Sequence, residues 1–213
     1  MGWIAVAHGG APEGRLLICQ GNAGSALDRV YYAEDFQSSE VSRRWEVRIL
    51  EYPGYGARPG SPSEPALVKA AVEAIDLLDK ELPLPLVLLG ESIGSGVAAL
   101  AAAQRPTQVK GLFLLTPLNR MRDLARVHHP YLPSILVRDR YEAAVALQGF
   151  HGPLAVLLAE RDEVIPPRLG QALFDGYASP KRLWIAKGKG HNTWDSAASN
   201  PMWAEVSEFL LPR

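Results

Sequence analysis

The chain has 213 residues, 47% of them hydrophobic, a formal net charge of -1 and a single cysteine. That length fills one core well and is short for two; the near-neutral balance, with no basic tail, argues against nucleic acid as a partner; and one cysteine rules out a disulfide within the chain. No apolar run approaches a membrane span, and residues 1–14 lack the basic and apolar regions of a secretory leader, so a cytoplasmic protein is expected.

In chain order, apolar runs alternate with helical patterns. Residues 3–7 predict a short strand, and His8-Gly9-Gly10-Ala11-Pro12-Glu13-Gly14 a hairpin turn into a second strand over 16–19. Gln20-Gly21-Asn22-Ala23-Gly24 opens a helix expected over 25–37. A third strand is predicted over 46–51, followed by the loop Tyr52-Pro53-Gly54-Tyr55-Gly56. Ser63 is placed as the N-cap of a helix over 64–81, whose Val68, Ala71, Val72, Ile75 and Leu78 recur on one face. The fourth strand, 86–89, ends at Gly90, and a helix rich in small residues runs on to Gln104, halted by Pro106.

The second half continues the alternation, with strands over 112–116, 154–158 and 183–185 and a helix over 168–174. Asn200 is expected to cap a last helix with Pro201 at its first position. Strands that are apolar throughout, separated by helices, predict an α/β fold: a mostly parallel sheet covered on both faces, in one domain over 1–213. The irregular stretch 118–152 is too long for a plain crossover and is expected to hold helices as a short cap. Arg120, Arg122, Arg126, Arg138 and Arg140 fall in it against Asp123 and Asp139, a pattern that predicts a positive field over the entrance if the insert covers the site.

Gly90-Glu91-Ser92-Ile93-Gly94 fills the G-x-S-x-G pattern at a strand-to-helix junction. A serine on so tight a turn is forced into strained backbone, and its neighbours two places away must be small. The same turn aims the Ile93 N–H and the positive helix end at whatever binds. In a parallel sheet, ligands gather at the carboxyl ends of the strands. The residues expected there include Asn22, Tyr52, Ser92, Asp162 and His191, with serine, acid and histidine in the chain order Ser, Asp, His. That order is the one used by α/β-hydrolases.

On these motifs the chain resembles an α/β-hydrolase, and within that fold it is similar to the BEM46/ABHD13-like group of serine hydrolases. Gln20-Gly21-Asn22-Ala23-Gly24 resembles the group's H-G-N-A-G, and Tyr52-Pro53-Gly54-Tyr55-Gly56 its Y-x-G-Y-G loop. Asp162-Glu163-Val164-Ile165-Pro166 resembles D-x-x-[VI]-P, and Gly190-His191-Asn192 resembles G-H-N. The resemblance spans about residues 16–192 and departs from the group at Gln20, where the group has a histidine that braces the loop.

Each role has rivals. His191 competes with His8, His128, His129 and His151, but follows a final strand and is flanked by glycine. Asp162 competes with Glu160, Glu163 and Asp195; Ser95 competes with Ser92 but falls inside the helix and reads as a packing residue. The oxyanion hole is assigned to the backbone N–H groups of Asn22 and Ile93, with His8-Gly9-Gly10 as the alternative. Tyr52, Tyr55 and Leu118 are the expected substrate contacts.

The expected activity is hydrolysis of a carboxylic ester or thioester through an acyl-enzyme. A small acyl substrate is the expected partner, without metal or organic cofactor. The rivals are a peptidase, an acyltransferase or a perhydrolase on the same triad, a dehalogenase (which would need aspartate at position 92), and a catalytically silent binding module.

Overall fold

A computed structural model describes residues 2–6, 10–131 and 133–211. Seven strands form one sheet: β1 (Gly2–Ala5), β2 (Gly14–Cys19), β3 (Trp45–Leu50), β4 (Leu86–Glu91), β5 (Val109–Leu115), β6 (Leu154–Ala159) and β7 (Lys181–Ala186). Their order across the sheet is β1-β3-β2-β4-β5-β6-β7. All neighbours are parallel except β1, which runs antiparallel along the outer edge of β3. The expected hairpin between the first two strands is therefore absent. β2 is buried at all six positions and needs a neighbour on both sides, so β3 and β4 flank it and β1 is left to the edge. Ala7, His8 and Gly9, including the alternative oxyanion glycine, lie outside the described residues.

Helices cover both faces. On one face lie α2 (Glu64–Glu81), α3 (Ile93–Gln104) and α6 (Pro167–Gly176), and on the other α1 (Tyr31–Gln37) and α7 (Met202–Leu210). Each face has its own core. Val97, Ala98, Ala101 and Ala102 of α3 pack with Leu88, Leu112 and Leu114 on the first; Tyr32, Phe36 and Trp203 pack with Val87, Leu89 and Phe113 on the second. Alternate side chains of one strand thus feed opposite layers, as period-2 geometry requires. Ser63 caps α2, accepting from the Ala66 N–H at 3.4 Å, and Asn200 Oδ1 accepts from the Met202 N–H at 3.0 Å at the start of α7.

The helix expected over 25–37 is divided. Ala26–Arg29 forms a 3₁₀ turn, and α1 begins only at Tyr31. Two bonds act at its entry, one from outside the segment and one within it: Glu51 Oε1 takes the Ala26 N–H at 3.1 Å, and Asp28 takes the Ser25 N–H at 2.7 Å. These bonds hold the entry tight. Between β5 and β6 the insert carries α4 (Met121–His128), a 3₁₀ turn at Ser134–Leu136, and α5 (Ala143–Ala146) running into a second 3₁₀ turn. Among the described residues no helix is long and apolar enough to cross a membrane.

Asp35 on α1 is buried, and burial, with the neighbouring charges of Glu34 and Asp195, raises its carboxyl from 3.8 to about 6, although the Ser196 hydroxyl opposes part of that rise. Its folded value lies above its unfolded one, so the folded state prefers the neutral acid. That preference is whole below about pH 4 and is lost as pH rises through about 6. Asp35→Asn is expected to raise stability at pH 8 by up to about 3 kcal/mol, with the gain vanishing near pH 4. Thermal melts of both proteins at the two pH values check this; a gain of equal size at pH 4 would show that charge is not the cause.

Candidate active site

The strand–turn–helix at β4–α3 places Ser92 at φ 55 and ψ -120, a left-handed conformation that an L-residue adopts only under constraint. The constraint is a hydrogen bond from the Ser92 N–H to the Leu115 carbonyl of β5 at 2.9 Å, and another from the Ser95 N–H to the Ser92 carbonyl at 3.0 Å. Both flanking glycines are needed for space. A Cβ on Gly90 would lie 2.6 Å from the Gly94 carbonyl oxygen, and one on Gly94 would overlap the carbonyl oxygens of Cys19 and Gln20. The helix start is therefore pressed directly against the end of β2.

This contact supplies a prediction. Gly94→Ala is expected to cost roughly 1–3 kcal/mol, because backbone and not a pliable side chain must move. Gly176→Ala is the control, since nothing lies within 4 Å of its added carbon. Melting temperatures should fall for the first and hold or rise for the second.

Ser95, read as a packing residue, is buried and also bonded. Its hydroxyl donates to the Ser92 carbonyl at 2.5 Å and accepts from the Leu118 N–H at 3.3 Å. It fastens the turn to the start of the insert and is turned away from the rim.

His191 and Asp162 arrive from the loops after β7 and β6. His191 Nε2 lies 3.0 Å from Ser92 Oγ, and Nδ1 lies 2.7 Å from Asp162 Oδ2. A carboxylate can only accept, so Nδ1 carries the proton and donates it, and Nε2 is left to accept from the serine hydroxyl. Asp162 is buried, and its other oxygen accepts the N–H groups of Val164 at 2.9 Å and Ile165 at 2.7 Å. Of the other acids, Glu160 accepts from the Gly188 N–H at 2.7 Å, Glu163 lies exposed, and Asp195 accepts from the Ala197 N–H at 3.0 Å. His128 reaches across from α4 to the Val164 carbonyl at 2.8 Å, tying the insert to the acid loop. His8 lies outside the described residues, and His129 and His151 are exposed.

The loop 20–25 is held from three sides. Gln20 Nε2 donates to Glu51 Oε1 at 3.1 Å, so the glutamine braces the loop at the position where the group it resembles has a histidine. The Tyr55 hydroxyl donates to Asn22 Oδ1 at 2.8 Å. Glu91 Oε2 accepts the Gly21 N–H at 3.1 Å and the Arg29 Nε–H at 2.7 Å. Among the described residues the N–H groups of Asn22 and Ile93 take no part in any of these bonds. The Glu91–Arg29 pair escapes the sequence reading, although a signal was there: a carboxylate ending an apolar strand needs a cation or an amide to hold it.

The three expected substrate contacts are all buried: Tyr55 is 8% exposed, with its hydroxyl on Asn22, and Tyr52 and Leu118 are 0% exposed. Tyr52 turns inward against Cys19 and edge-on to the Tyr55 ring, so it supports the loop from below and offers no surface to a ligand. Cys19 itself is fully buried, and burial pushes its thiol up to about 12, which leaves it a neutral core residue. The expected positive field is weaker than the arginine count implied. Arg120 and Arg122 both pair with Glu142, at 3.3 and 3.8 Å, and Arg126 pairs with Asp123 at 3.6 Å; Glu142 lies two residues past the stretch of arginines. Among the described residues no group of three or more His, Cys, Asp or Glu could hold a metal ion.

Comparison with known proteins agrees with this architecture. Residues 14–206 match the alpha/beta hydrolase fold family. The chain is 31% identical over 213 residues to the uncharacterized protein Rv2307c of Mycobacterium tuberculosis, covering 98% of this chain and 74% of that one. It is 29% identical to protein bem46 of Schizosaccharomyces pombe, covering 94% of this chain and 69% of the relative. Among solved structures, the monoacylglycerol lipase of Paleococcus ferrophilus superposes with a TM-score of 0.70 at 21% identity, over 99% of this chain and 98% of that one. The chain belongs to the α/β-hydrolase family, within its BEM46-like group.

Proposed function

We propose that the chain is a serine hydrolase that cleaves a carboxylic ester or thioester through an acyl-enzyme. The observation that carries this reading is the continuous line from Ser92 through His191 to Asp162, at 3.0 and 2.7 Å, on a turn strained at the serine. Ser92 Oγ attacks the carbonyl carbon while His191 Nε2 takes its proton. The bond to the leaving oxygen or sulfur then breaks, and His191 returns the proton to it. Water repeats the sequence on the acyl-enzyme and frees the acid.

Asp162 orients the imidazole and stabilises its charged form. The Asn22 and Ile93 N–H groups stabilise the tetrahedral oxyanion, a contribution of about two to three orders of magnitude per donor. Tyr55 acts by fixing Asn22, and the segment 118–152 acts as a cap tied to the acid loop through His128.

The test is labelling with a fluorophosphonate, mapping of the modified peptide, and turnover of a panel of acyl esters of graded chain length. The expected result is a single adduct on Ser92 and hydrolysis of at least one ester series. Absence of both adduct and turnover would sink the proposal and leave a silent binding module.

A further inference from the structure

Glu91 is the last residue of β4 and the immediate neighbour of Ser92. Its side chain crosses to the loop 20–25, where Oε2 accepts the Gly21 N–H at 3.1 Å. We propose that Glu91 is a positioning residue: it ties the loop that carries the Asn22 N–H to the turn that carries the Ile93 N–H, and so sets the span between the two oxyanion donors. The inference rests on the serine-hydrolase reading above and adds to it what holds the two halves of the oxyanion hole in place.

The sheet explains why the tie falls here. β2 runs between β3 and β4, with Cys19 level with Leu50 on one side and with Gly90 on the other. The chain leaving β2 at Gln20 therefore passes between Glu51 and Glu91, the residues that follow on its two neighbours. Each sends a carboxylate to it. Glu51 Oε1 takes Gln20 Nε2 and the Ala26 N–H, both at 3.1 Å, and Glu91 takes the Gly21 N–H. Between these anchors the loop bends hard, with Ala23 at φ 67 and Gly24 at φ 80. An alanine adopts that conformation only under constraint, so a loop freed of its anchors would relax.

The two anchors differ in what they reach. Glu51 fixes the ends of the loop to β3, which carries none of the reacting groups. Glu91 fixes it to the chain of the nucleophile, one residue before Ser92 and two before Ile93. The amide it holds is one peptide unit from the Asn22 N–H. A hydrogen bond to an ionised carboxylate is stronger than one between neutral groups, and Arg29 Nε, at 2.7 Å on the same oxygen, balances the charge where both side chains are largely buried. Asn22 is thus held through its backbone by Glu91 and through its side chain by the Tyr55 hydroxyl at 2.8 Å. Glycine at 21 permits the close approach, since a Cβ there would lie 3.2 Å from the Glu91 carboxyl carbon and 3.3 Å from Oε2.

The experiment compares the native chain with Glu91→Ala, Glu91→Gln and Gly21→Ala. The substrate is one acyl ester, the inhibitor is the trifluoromethyl ketone of the same acyl chain, and each sample is titrated for active serines with the phosphonate. Ser92 Oγ adds to the ketone carbon as His191 takes its proton, and the ketone oxygen becomes the anion that the two N–H groups hold, so its Ki reports on the hole itself. Glu91→Ala is expected to lower kcat per titrated serine by about 10- to 100-fold, the scale of a displacement of about 1 Å at a reacting centre. KM should stay within about threefold, because the lost interaction acts in the transition state, and the ketone Ki should rise in parallel with the loss in kcat. Glu91→Gln keeps an oxygen for the Gly21 N–H and should recover most of the rate. Gly21→Ala pushes on the same contact with every charge retained, and should worsen kcat and Ki together by several-fold.

A native kcat per titrated serine in Glu91→Ala would overturn the inference, even if fewer serines titrate, because a partly unfolded sample gives that result. A fall in kcat with the ketone Ki unchanged would overturn it as well, since the hole would then be intact. So would a Glu91→Gln as slow as Glu91→Ala. If Glu91→Ala does not fold, Gly21→Ala decides, and native kcat and Ki in that variant would overturn the inference. Each of these results spares the serine-hydrolase reading, whereas a native chain that neither takes the phosphonate nor cleaves any ester would remove both.

Discussion

Ser92→Ala is expected to abolish phosphonate labelling and to lower turnover by about six orders of magnitude, the scale found when a triad serine is lost. Among the described residues the Ser92 hydroxyl is the one that faces His191, whereas Ser95 turns its own hydroxyl to the Ser92 carbonyl and the Leu118 amide. The fold should persist. The strained backbone at position 92 is held by bonds to the Leu115 carbonyl and from Ser95, and the substitution touches neither. Melting curves of the two proteins should therefore nearly superpose. An adduct that survives in the variant would point to a second nucleophile.

The next largest effect is expected of Asp162→Asn. Two loop amides fix the orientation of the side chain, through Oδ1 at 2.9 and 2.7 Å. In the variant the amide oxygen will take that place, because both partners are donors. The amide nitrogen must then face His191 Nδ1. A donor there drives the imidazole proton to Nε2, so that the ring offers Ser92 a donor where it needs an acceptor. A loss of about four orders of magnitude is expected, with the fold intact. Phosphonate labelling should slow in parallel. Glu160→Gln and Glu163→Gln keep their loops and should stay within a few-fold of the native rate; a large loss in either, with Asp162→Asn active, would move the acid elsewhere.

Much of this site is legible in the chain because its rules are local. Gly90 and Gly94 announce a turn too tight for a Cβ, and Gly190 and Pro166 mark the loops that present His191 and Asp162. The inner strands are equally plain: β2 and β6 are buried at every position and β4 and β5 at all but one, so they need neighbours and cover on both sides. What escapes the sequence is pairing at a distance. Nothing near Arg120 and Arg122 shows that Glu142 folds back onto both. Nothing near Tyr52 distinguishes a rim residue from one turned under the loop.

The place of β1 is hidden for the same reason, since a short strand followed by glycines reads as half of a hairpin until the demands of β2 are known. The division of the 25–37 helix depends on Glu51, which lies on the far side of β3 in sequence. Gln20 is an instructive departure. The bracing bond it makes to Glu51 needs a side-chain donor of the right reach, and an amide meets that requirement as an imidazole would.

The helix that begins at Ile93 has a further consequence, in how the molecule opens. From Gly94 to Ala102 every residue but Leu100 is buried and no larger than valine, held between the sheet on one side and α2 and α5 on the others. Backbone amides so enclosed can meet solvent only when the whole domain comes apart, whereas the cap and the 20–25 loop carry exposed backbone that can swing out separately. In deuterium oxide, the amides of α3 and β4 would exchange last and at one common rate. The strained backbone at Ser92 would thus be anchored in the unit expected to open last, and its φ of 55° would hold as long as that unit does.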